Sequence, residues 1–170
     1  MNKIVKFLVW VSCFGNNVRI ARKLGARVGK NSRILGNVFH VLGSEPELIE
    51  IGEHVSISSG TRFVNHYGEL WVLRSKKGNM QRFDKIVIGN NVFIGQNVII
   101  LPGLTIGNNV VIGAGSIITH NIPDNVVYAG CPAKFIYDFD FFCEKQLLKP
   151  FSIIKSKKER KAEIIKVRNQ

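Results

Sequence analysis

Isoleucine occupies every sixth position of this chain between residues 88 and 118. A second apolar row lies four residues after each isoleucine, and only Ser116 interrupts it. A period of six matches neither the 3.6-residue turn of an α-helix nor the two-residue alternation of a β-strand. It predicts a solenoid in which each hexad forms one side of a coil and the isoleucine points inward. The two rows are Ile88, Ile94, Ile100, Ile106, Ile112 and Ile118, and Val92, Val98, Leu104, Val110, Ser116 and Ile122.

Asparagine or glycine stands three residues after each isoleucine of the ladder. Both residue types tolerate left-handed backbone angles, which tight corners require. We therefore expect corners at Asn91, Asn97, Gly103, Asn109, Gly115 and Asn121.

The repeat has two interruptions. An earlier, less regular block begins at Val28, and its step from Ile34 to Ile51 is 17 residues instead of 18. This slip predicts a loop or bulge around residues 43–46. Residues 65–85 have no hexad pattern, so we expect an extruded loop there. Solenoid proteins often place functional groups in such insertions.

These boundaries predict an all-β solenoid with helical segments at both ends. Residues 1–27 have apolar positions at helical spacing, residues 28–136 form the solenoid, and residues 137–170 form a basic helical tail.

Composition narrows the partners. The formal charge of +12 favours a polyanionic partner such as nucleic acid, an anionic membrane or a phosphorylated cofactor. The basic residues match no motif that reads nucleic acid, so no nucleic-acid partner is predicted. Cys13, Cys131 and Cys143 lack CxxC spacing. They indicate neither a disulfide framework nor a structural zinc site and favour a reducing, cytoplasmic compartment.

The N-terminal run at residues 7–11 is apolar and follows Lys3 and Lys6. It is too short to span a bilayer, and no small-x-small cleavage pattern follows it. Two interpretations stay open. The segment is either an amphipathic helix that packs on the domain or a helix in peripheral contact with the inner face of a membrane.

Four stretches of the chain carry a resemblance to a known family. They are Ile88-Gly-Asn-Asn-Val-Phe-Ile-Gly, Leu101-Pro-Gly-Leu-Thr-Ile-Gly, Ile112-Gly-Ala-Gly-Ser and Ile122-Pro-Asp-Asn-Val-Val-Tyr-Ala-Gly-Cys-Pro-Ala-Lys. Over about residues 28–136 the sequence resembles the hexapeptide-repeat acyltransferases, in particular the galactoside and maltose O-acetyltransferase branch. The resemblance implies a left-handed parallel β-helix, acetyl-CoA as co-substrate, no metal, and a homotrimer with coenzyme sites between adjacent β-helices.

The catalytic candidate is His66. Acyl transfer to a hydroxyl needs a base, because an alcohol is a poor nucleophile until its proton is removed, and histidine suits this role. His66 opens the inserted loop, where the family's catalytic histidine lies. Tyr67 follows where the family often has an acidic or polar residue, so Glu69 and a backbone carbonyl are both candidates for orienting the imidazole. We expect His54 to be solvated and His40 to be structural.

The resemblance also implies a coenzyme-binding set on the ladder. A backbone N–H at Gly95 is expected to stabilise the thioester oxyanion. Phe93, where the family usually has tryptophan, and Gln96 are expected to flank the pantetheine arm. The remaining members are the small-residue turn at Gly113 and Ala114, Thr119 and His120 near the nucleotide, and Lys134 at the phosphates. Ordinary packing of solenoid corners is the structural alternative for these residues.

Side chains of the inserted loop are the acceptor-binding candidates, namely Asn65, Tyr67, Glu69, Trp71 and Arg74. Aromatic rings stack on sugars, and arginine binds phosphate or carboxylate. Packing of the loop against a neighbouring subunit is an equally open interpretation.

The predicted function is acetyl-CoA-dependent O-acetylation of a saccharide hydroxyl in a capsule, O-antigen or exopolysaccharide unit. Two alternatives stay open: N-acetylation of a carrier-linked amino sugar, and a non-catalytic scaffold or membrane-docking module that uses the basic tail. A zinc enzyme of the γ-carbonic anhydrase type would need three convergent histidines, which the spacing of the four histidines does not indicate.

Overall fold

The computed structural model describes residues 2–169. The chain forms two compact units, Met1–Phe139 and Asp140–Gln170. The strands are β1 (Arg27–Val28), β2 (Arg33–Ile34), β3 (Ile49–Ile51), β4 (Ser56–Ile57), β5 (Arg62–Phe63), β6 (Ile86–Ile88), β7 (Val92–Ile94), β8 (Ile99–Ile100), β9 (Thr105–Ile106), β10 (Val110–Ile112), β11 (Ile117–Ile118), β12 (Val126–Gly130) and β13 (Ala133–Asp138). The helices are α1 (Lys3–Ser12), α2 (Asn17–Lys23), α3 (Val38–Leu42), α4 (Arg74–Lys77), α5 (Phe139–Leu147) and α6 (Lys157–Arg168).

The strands form three sheets. The first sheet has the order β1-β3-β6-β9, the second β13-β12-β10-β7-β4-β2, and the third β11-β8-β5. From β3 to β11 the chain visits the three sheets in turn, so three successive strands make one coil. Neighbouring coils pair in parallel, with Ile94 opposite Ile112 and Ile100 opposite Ile118. Only β13 runs antiparallel, against β12.

The isoleucine ladder is the core of this coil, as predicted. All six isoleucines are at most 2% exposed, and the second row is buried along its whole length, including Ser116. Burial of one such side chain stabilises the fold by about 1.5–3 kcal/mol. The stacked column therefore supplies much of the apolar stabilisation of the first unit.

The corners follow the predicted rule with one exception. Asn91, Asn97, Gly103, Asn109 and Gly115 all have positive φ. Asn121 does not, because the left-handed corner of the last coil falls at Asn125, where φ is 61°. The Asn121 side chain instead accepts a hydrogen bond from the Thr105 N–H at 2.9 Å.

The slip around residues 43–46 corresponds to a short helix rather than a simple loop or bulge. α3 and a 3-10 turn (Pro46–Leu48) take the place of a third-sheet strand in the first coil. Asn37 caps the start of α3 by accepting from the Phe39 N–H, and Gly43 ends it with φ at 71°. The helix buries Val38, Val41 and Leu42 on the core.

The insertion at residues 65–85 is a folded loop closed at its base. The Tyr67 N–H donates to the Arg82 carbonyl at 3.0 Å, and the Asp84 N–H donates to the Asn65 carbonyl at 2.9 Å. Between these bonds lie a 3-10 helix (Gly68–Leu73) and α4.

The ends of the described chain are helical. In the second unit, Ser156 caps α6 by accepting from the Glu159 N–H at 3.2 Å. Among the described residues no single helix is long and apolar enough to cross a membrane, although the bent pair α1 and α2 passes that test when taken together.

Candidate active site

His66 lines a cavity of about 250 Å³ beneath the inserted loop. It follows β5 and pairs in antiparallel fashion with Phe83 from the other end of the insertion. The chain reversal at the base of the loop therefore fixes the backbone of His66, and the side chain stays half exposed at 49%. The other lining residues are Ser44, Glu45, Tyr67, Gly68, Trp71, Arg74, Met80, Gln81, Arg82 and Phe83.

Glu45 is the side chain that contacts the His66 imidazole. Its Oε2 lies 3.3 Å from His66 Nδ1. With a hydrogen on Nδ1, the imidazole donates to this carboxylate and leaves the Nε2 lone pair available to accept a proton. Of the two orienting groups considered from the sequence, Glu69 lies outside the cavity lining. Glu45 was missed because it lies 21 residues before His66, within the first interruption of the ladder.

Tyr67 is held by the far end of the insertion. Its hydroxyl donates to Asp84 Oδ2 at 2.6 Å, and the Arg82 guanidinium lies 4.4 Å from the centre of its ring. The hydrogen bond to Asp84, together with burial, raises the pKa of the Tyr67 phenol. Tyr67 therefore remains a neutral hydrogen-bond donor and fixes one wall of the cavity.

Asn65 supports this wall from below. It is only 1% exposed, and its Nδ2 lies 3.4 Å from the Asp84 carbonyl oxygen. Its Oδ1 is buried and has no hydrogen-bond partner among the described residues. The structure therefore places Asn65 beneath the cavity, whereas the sequence gave it an acceptor-binding role.

Trp71 and Arg74 form a stacked pair in the cavity wall. The Arg74 guanidinium lies 4.5 Å from the centre of the Trp71 ring, and Trp71 is 68% exposed. Arg74 Nε is buried, and within residues 2–169 it has no hydrogen-bond partner. An exposed aromatic face next to a donor with unused capacity is suited to a polar ring that carries an acceptor group.

The expected coenzyme set begins at the corners that lead from the second sheet to the third. A Cβ on Gly95 would lie 2.5 Å from the Ala114 nitrogen, and one on Gly113 would lie 2.8 Å from the Ala129 Cβ. Only glycine allows the coils to stack this closely at these two positions. Part of the sequence signal for Gly95 and Gly113 therefore has a packing origin.

Gly95 does not fit the expected role of oxyanion donor. Its N–H donates to the Ile112 carbonyl at 2.9 Å and is thus committed to the sheet. The next amide, Gln96 N–H, makes no hydrogen bond within the described part of the chain. Gln96 is anchored through its carbonyl, which accepts from the Gly115 N–H at 2.8 Å.

The remaining coenzyme candidates lie near these corners but outside the His66 cavity. Thr119 and His120 follow β11, with the His120 ring 5.8 Å from the Tyr128 ring. Lys134 lies opposite Ala129 in the β12–β13 pair. Phe93 is on the outer side of the second sheet and lines a separate cavity of about 460 Å³ with His54. As far as the described residues show, no member of this set lines the cavity of His66.

Residues 2–169 contain no group of three histidine, cysteine, aspartate or glutamate side chains that could hold a metal ion. His54 Nδ1 instead lies 2.8 Å from Asn91 Oδ1, at the start of a column that continues through Asn109 and Asn125. This column runs along one corner of the coil and explains the polar residues there without a ligand.

The geometry agrees with comparisons to known proteins. The bacterial transferase hexapeptide family (six repeats) matches residues 85–120. Protein CapG of Staphylococcus aureus is 52% identical over 126 residues, which cover 74% of this chain and 73% of that protein. Galactoside O-acetyltransferase of Escherichia coli (strain K12) is 41% identical over 127 residues, 75% of this chain and 57% of that protein.

A solved structure is similar in fold as well. It is a hexapeptide-repeat containing acetyltransferase of Vibrio cholerae O1 biovar eltor, complexed with acetyl coenzyme A. The match has a TM-score of 0.54 and 28% identity, and covers 68% of this chain and 61% of the other. The chain belongs to the bacterial hexapeptide-repeat transferase family, and it is an acyltransferase.

Proposed function

We propose that this enzyme transfers an acetyl group from acetyl-CoA to a hydroxyl of a saccharide, with His66 as the general base. The observation that carries the proposal is the His66–Glu45 pair in a cavity with an aromatic and arginine-containing wall. The donor is supported by the acetyl-CoA complex of the Vibrio cholerae relative, and the acceptor class by the galactoside O-acetyltransferase. A capsule, O-antigen or exopolysaccharide unit is the proposed natural acceptor.

The chemistry follows from the position of the imidazole. His66 Nε2 removes the proton of the acceptor hydroxyl as its oxygen attacks the thioester carbonyl carbon. Glu45 stabilises the imidazolium that forms. The tetrahedral intermediate then collapses, the C–S bond breaks, and the thiolate of coenzyme A takes the proton back from the imidazolium. The products are the acetyl ester and free coenzyme A.

The oxyanion of the intermediate needs a preorganised donor. We assign this role to the Gln96 N–H, because the Gly95 N–H is already bonded to the Ile112 carbonyl. The small residues at the Gly113–Ala114 corner leave room for the pantetheine arm beside Gln96. Thr119, His120 and Lys134 are the proposed contacts of the nucleotide and its phosphates.

Two parts of the site must come from different copies of the chain under this proposal. The corner at Gly95–Gln96 precedes the third sheet, whereas His66 follows it, and the coenzyme set does not line the His66 cavity. A homotrimer of left-handed coils would bring the corner of one copy to the cavity of the next. The separation within one chain supports this arrangement.

The acceptor is proposed to lie on Trp71, with an acidic group directed to Arg74. Trp71 offers an exposed ring, and Arg74 Nε has no partner among the described residues. A carboxylate or phosphate on the acceptor would supply that partner.

A thiol-release assay with acetyl-CoA and a panel of saccharides tests the proposal. We expect His66→Ala to lower kcat by about a hundredfold to ten-thousandfold, the usual contribution of general base catalysis. Coenzyme binding, measured by calorimetry, should be unchanged, and His54→Ala is the matched control. Unchanged turnover in His66→Ala would contradict the assignment, and acetylation of amino sugars alone would favour N-acetyl transfer.

A further inference from the structure

The outward face of α1 is apolar. None of the ten residues of α1 is buried, and the helix contacts the core mainly through the half-buried Val9 and the adjacent Cys13. The side chains on the opposite face follow the i, i+3, i+4, i+7 spacing of a single helical stripe. They are Ile4, Phe7, Leu8 and Val11, which are 66%, 63%, 59% and 48% exposed.

This arrangement is the reverse of an ordinary surface helix, which directs its apolar stripe to the core. The exposed stripe continues into Phe14, which follows the helix and is 86% exposed. Trp10 flanks it, half exposed and packed beside Gly15. A contiguous apolar surface of this kind marks an interaction site.

The charge around α1 indicates the occupant. Residues 1–44 contain eight lysine and arginine residues and no aspartate or glutamate. Lys3 and Lys6 lie in the helix, and Lys23 donates to the Ser12 hydroxyl at its end at 2.8 Å. Arg19 is exposed in the next helix. A second copy of the chain docked on this face would bring the same positive charge, whereas anionic lipid headgroups would neutralise it.

We propose that α1 is a membrane-docking helix that lies in the plane of an anionic lipid surface. The apolar stripe inserts among the acyl chains, and the lysines contact the headgroup phosphates. Ten residues of helix are about 15 Å long, half the thickness of the hydrocarbon core, so α1 is long enough to lie on the surface and too short to cross it. This inference does not depend on the proposed acetyl transfer.

Vesicle flotation of the full chain tests the proposal. We expect the protein to float with vesicles of phosphatidylcholine mixed with phosphatidylglycerol, to stay unbound with phosphatidylcholine alone, and to be released by high salt. Leu8→Glu should weaken binding by about tenfold or more, because it places a charge in the inserted stripe. Ile136→Glu is the matched control, since Ile136 is also an exposed apolar side chain (46%) but lies in β13. It should bind like the wild type.

Three results would overturn the proposal. The first is wild-type protein that fails to float with anionic vesicles, and the second is equal loss of binding in Leu8→Glu and Ile136→Glu. The third is a lower molecular mass of Leu8→Glu by light scattering, which would identify the α1 face as a contact between copies of the chain.

Discussion

The isoleucine ladder and the inserted loop are built on opposite principles. In the ladder each position repeats every 18 residues, and identical neighbours stack, as Ile94 does on Ile112. In the insertion no position repeats, and almost every polar contact joins unlike residues, such as Tyr67 to Asp84. The first interruption belongs with the insertion, because it supplies Glu45 to His66. The difference teaches that regular hexads build the scaffold, while the two irregular segments together form the candidate acceptor site.

The strongest test of this contrast concerns stability. Ile100→Ala removes a fully buried side chain of the ladder and should lower the free energy of unfolding by about 2–5 kcal/mol. Its neighbour Ile99 points away from the core and is the matched control, with a much smaller expected loss for Ile99→Ala. Urea denaturation of both variants measures the difference. Equal losses would show that the stacked column does not dominate stability.

Glu45→Gln tests the contribution of the first interruption to catalysis. Loss of one charge-assisted hydrogen bond of about 1.5–3 kcal/mol should lower kcat by about tenfold to a hundredfold, without changing the KM for acetyl-CoA. The control is Glu47→Gln, which neutralises an exposed carboxylate of the same segment and should leave kcat unchanged. Steady-state kinetics that gave the same kcat for both variants would remove Glu45 from the mechanism.

Arg74→Gln sharpens the role of the inserted loop. We expect the KM for an acceptor that carries a carboxylate or phosphate to rise about tenfold, because the variant loses a charge-assisted contact, whereas a neutral acceptor is unaffected. Lys76→Gln, in the same helix, is the charge-matched control. A similar rise with neutral acceptors would indicate that Arg74 only positions Trp71.

The smallest expected effect is a pH dependence where the insertion rejoins the ladder. The hydrogen bond from Lys85, together with the charges of Lys85 and Arg27, holds the pKa of Glu50 below its ordinary value of 4.5. A lowered pKa favours the folded state while Glu50 is ionised. This stabilisation is therefore complete above the unfolded pKa and is lost as the pH falls through the folded one.

Glu50→Gln should flatten the acid limb of the unfolding free energy, measured in urea between about pH 5 and about pH 3. Glu53→Gln, on the following turn, is the control and should retain the wild-type slope. An unchanged slope in Glu50→Gln would show that this ion pair contributes nothing at the junction.

The sequence predicted the ladder well, because a six-residue period has few structural solutions and its burial pattern follows directly from spacing. The corners failed only at Asn121, where the last coil is shorter and Asn125 takes the left-handed position. The contact between Glu45 and His66 could not be predicted, since it joins two segments that lack the repeat. The commitment of the Gly95 N–H to Ile112 is set by the pairing of β7 with β10, which spacing alone does not reveal. Periodicity likewise gave α1 an apolar stripe but not its outward direction.

The central claim is that the catalytic base lies in the interruption of the ladder rather than on the ladder itself. The most direct measurement is kcat for thiol release by His66→Gln at saturating acetyl-CoA and acceptor, with its unfolding midpoint measured in parallel. We predict a fall of at least about a hundredfold with an unchanged midpoint. Wild-type kcat in a folded His66→Gln enzyme would contradict the account.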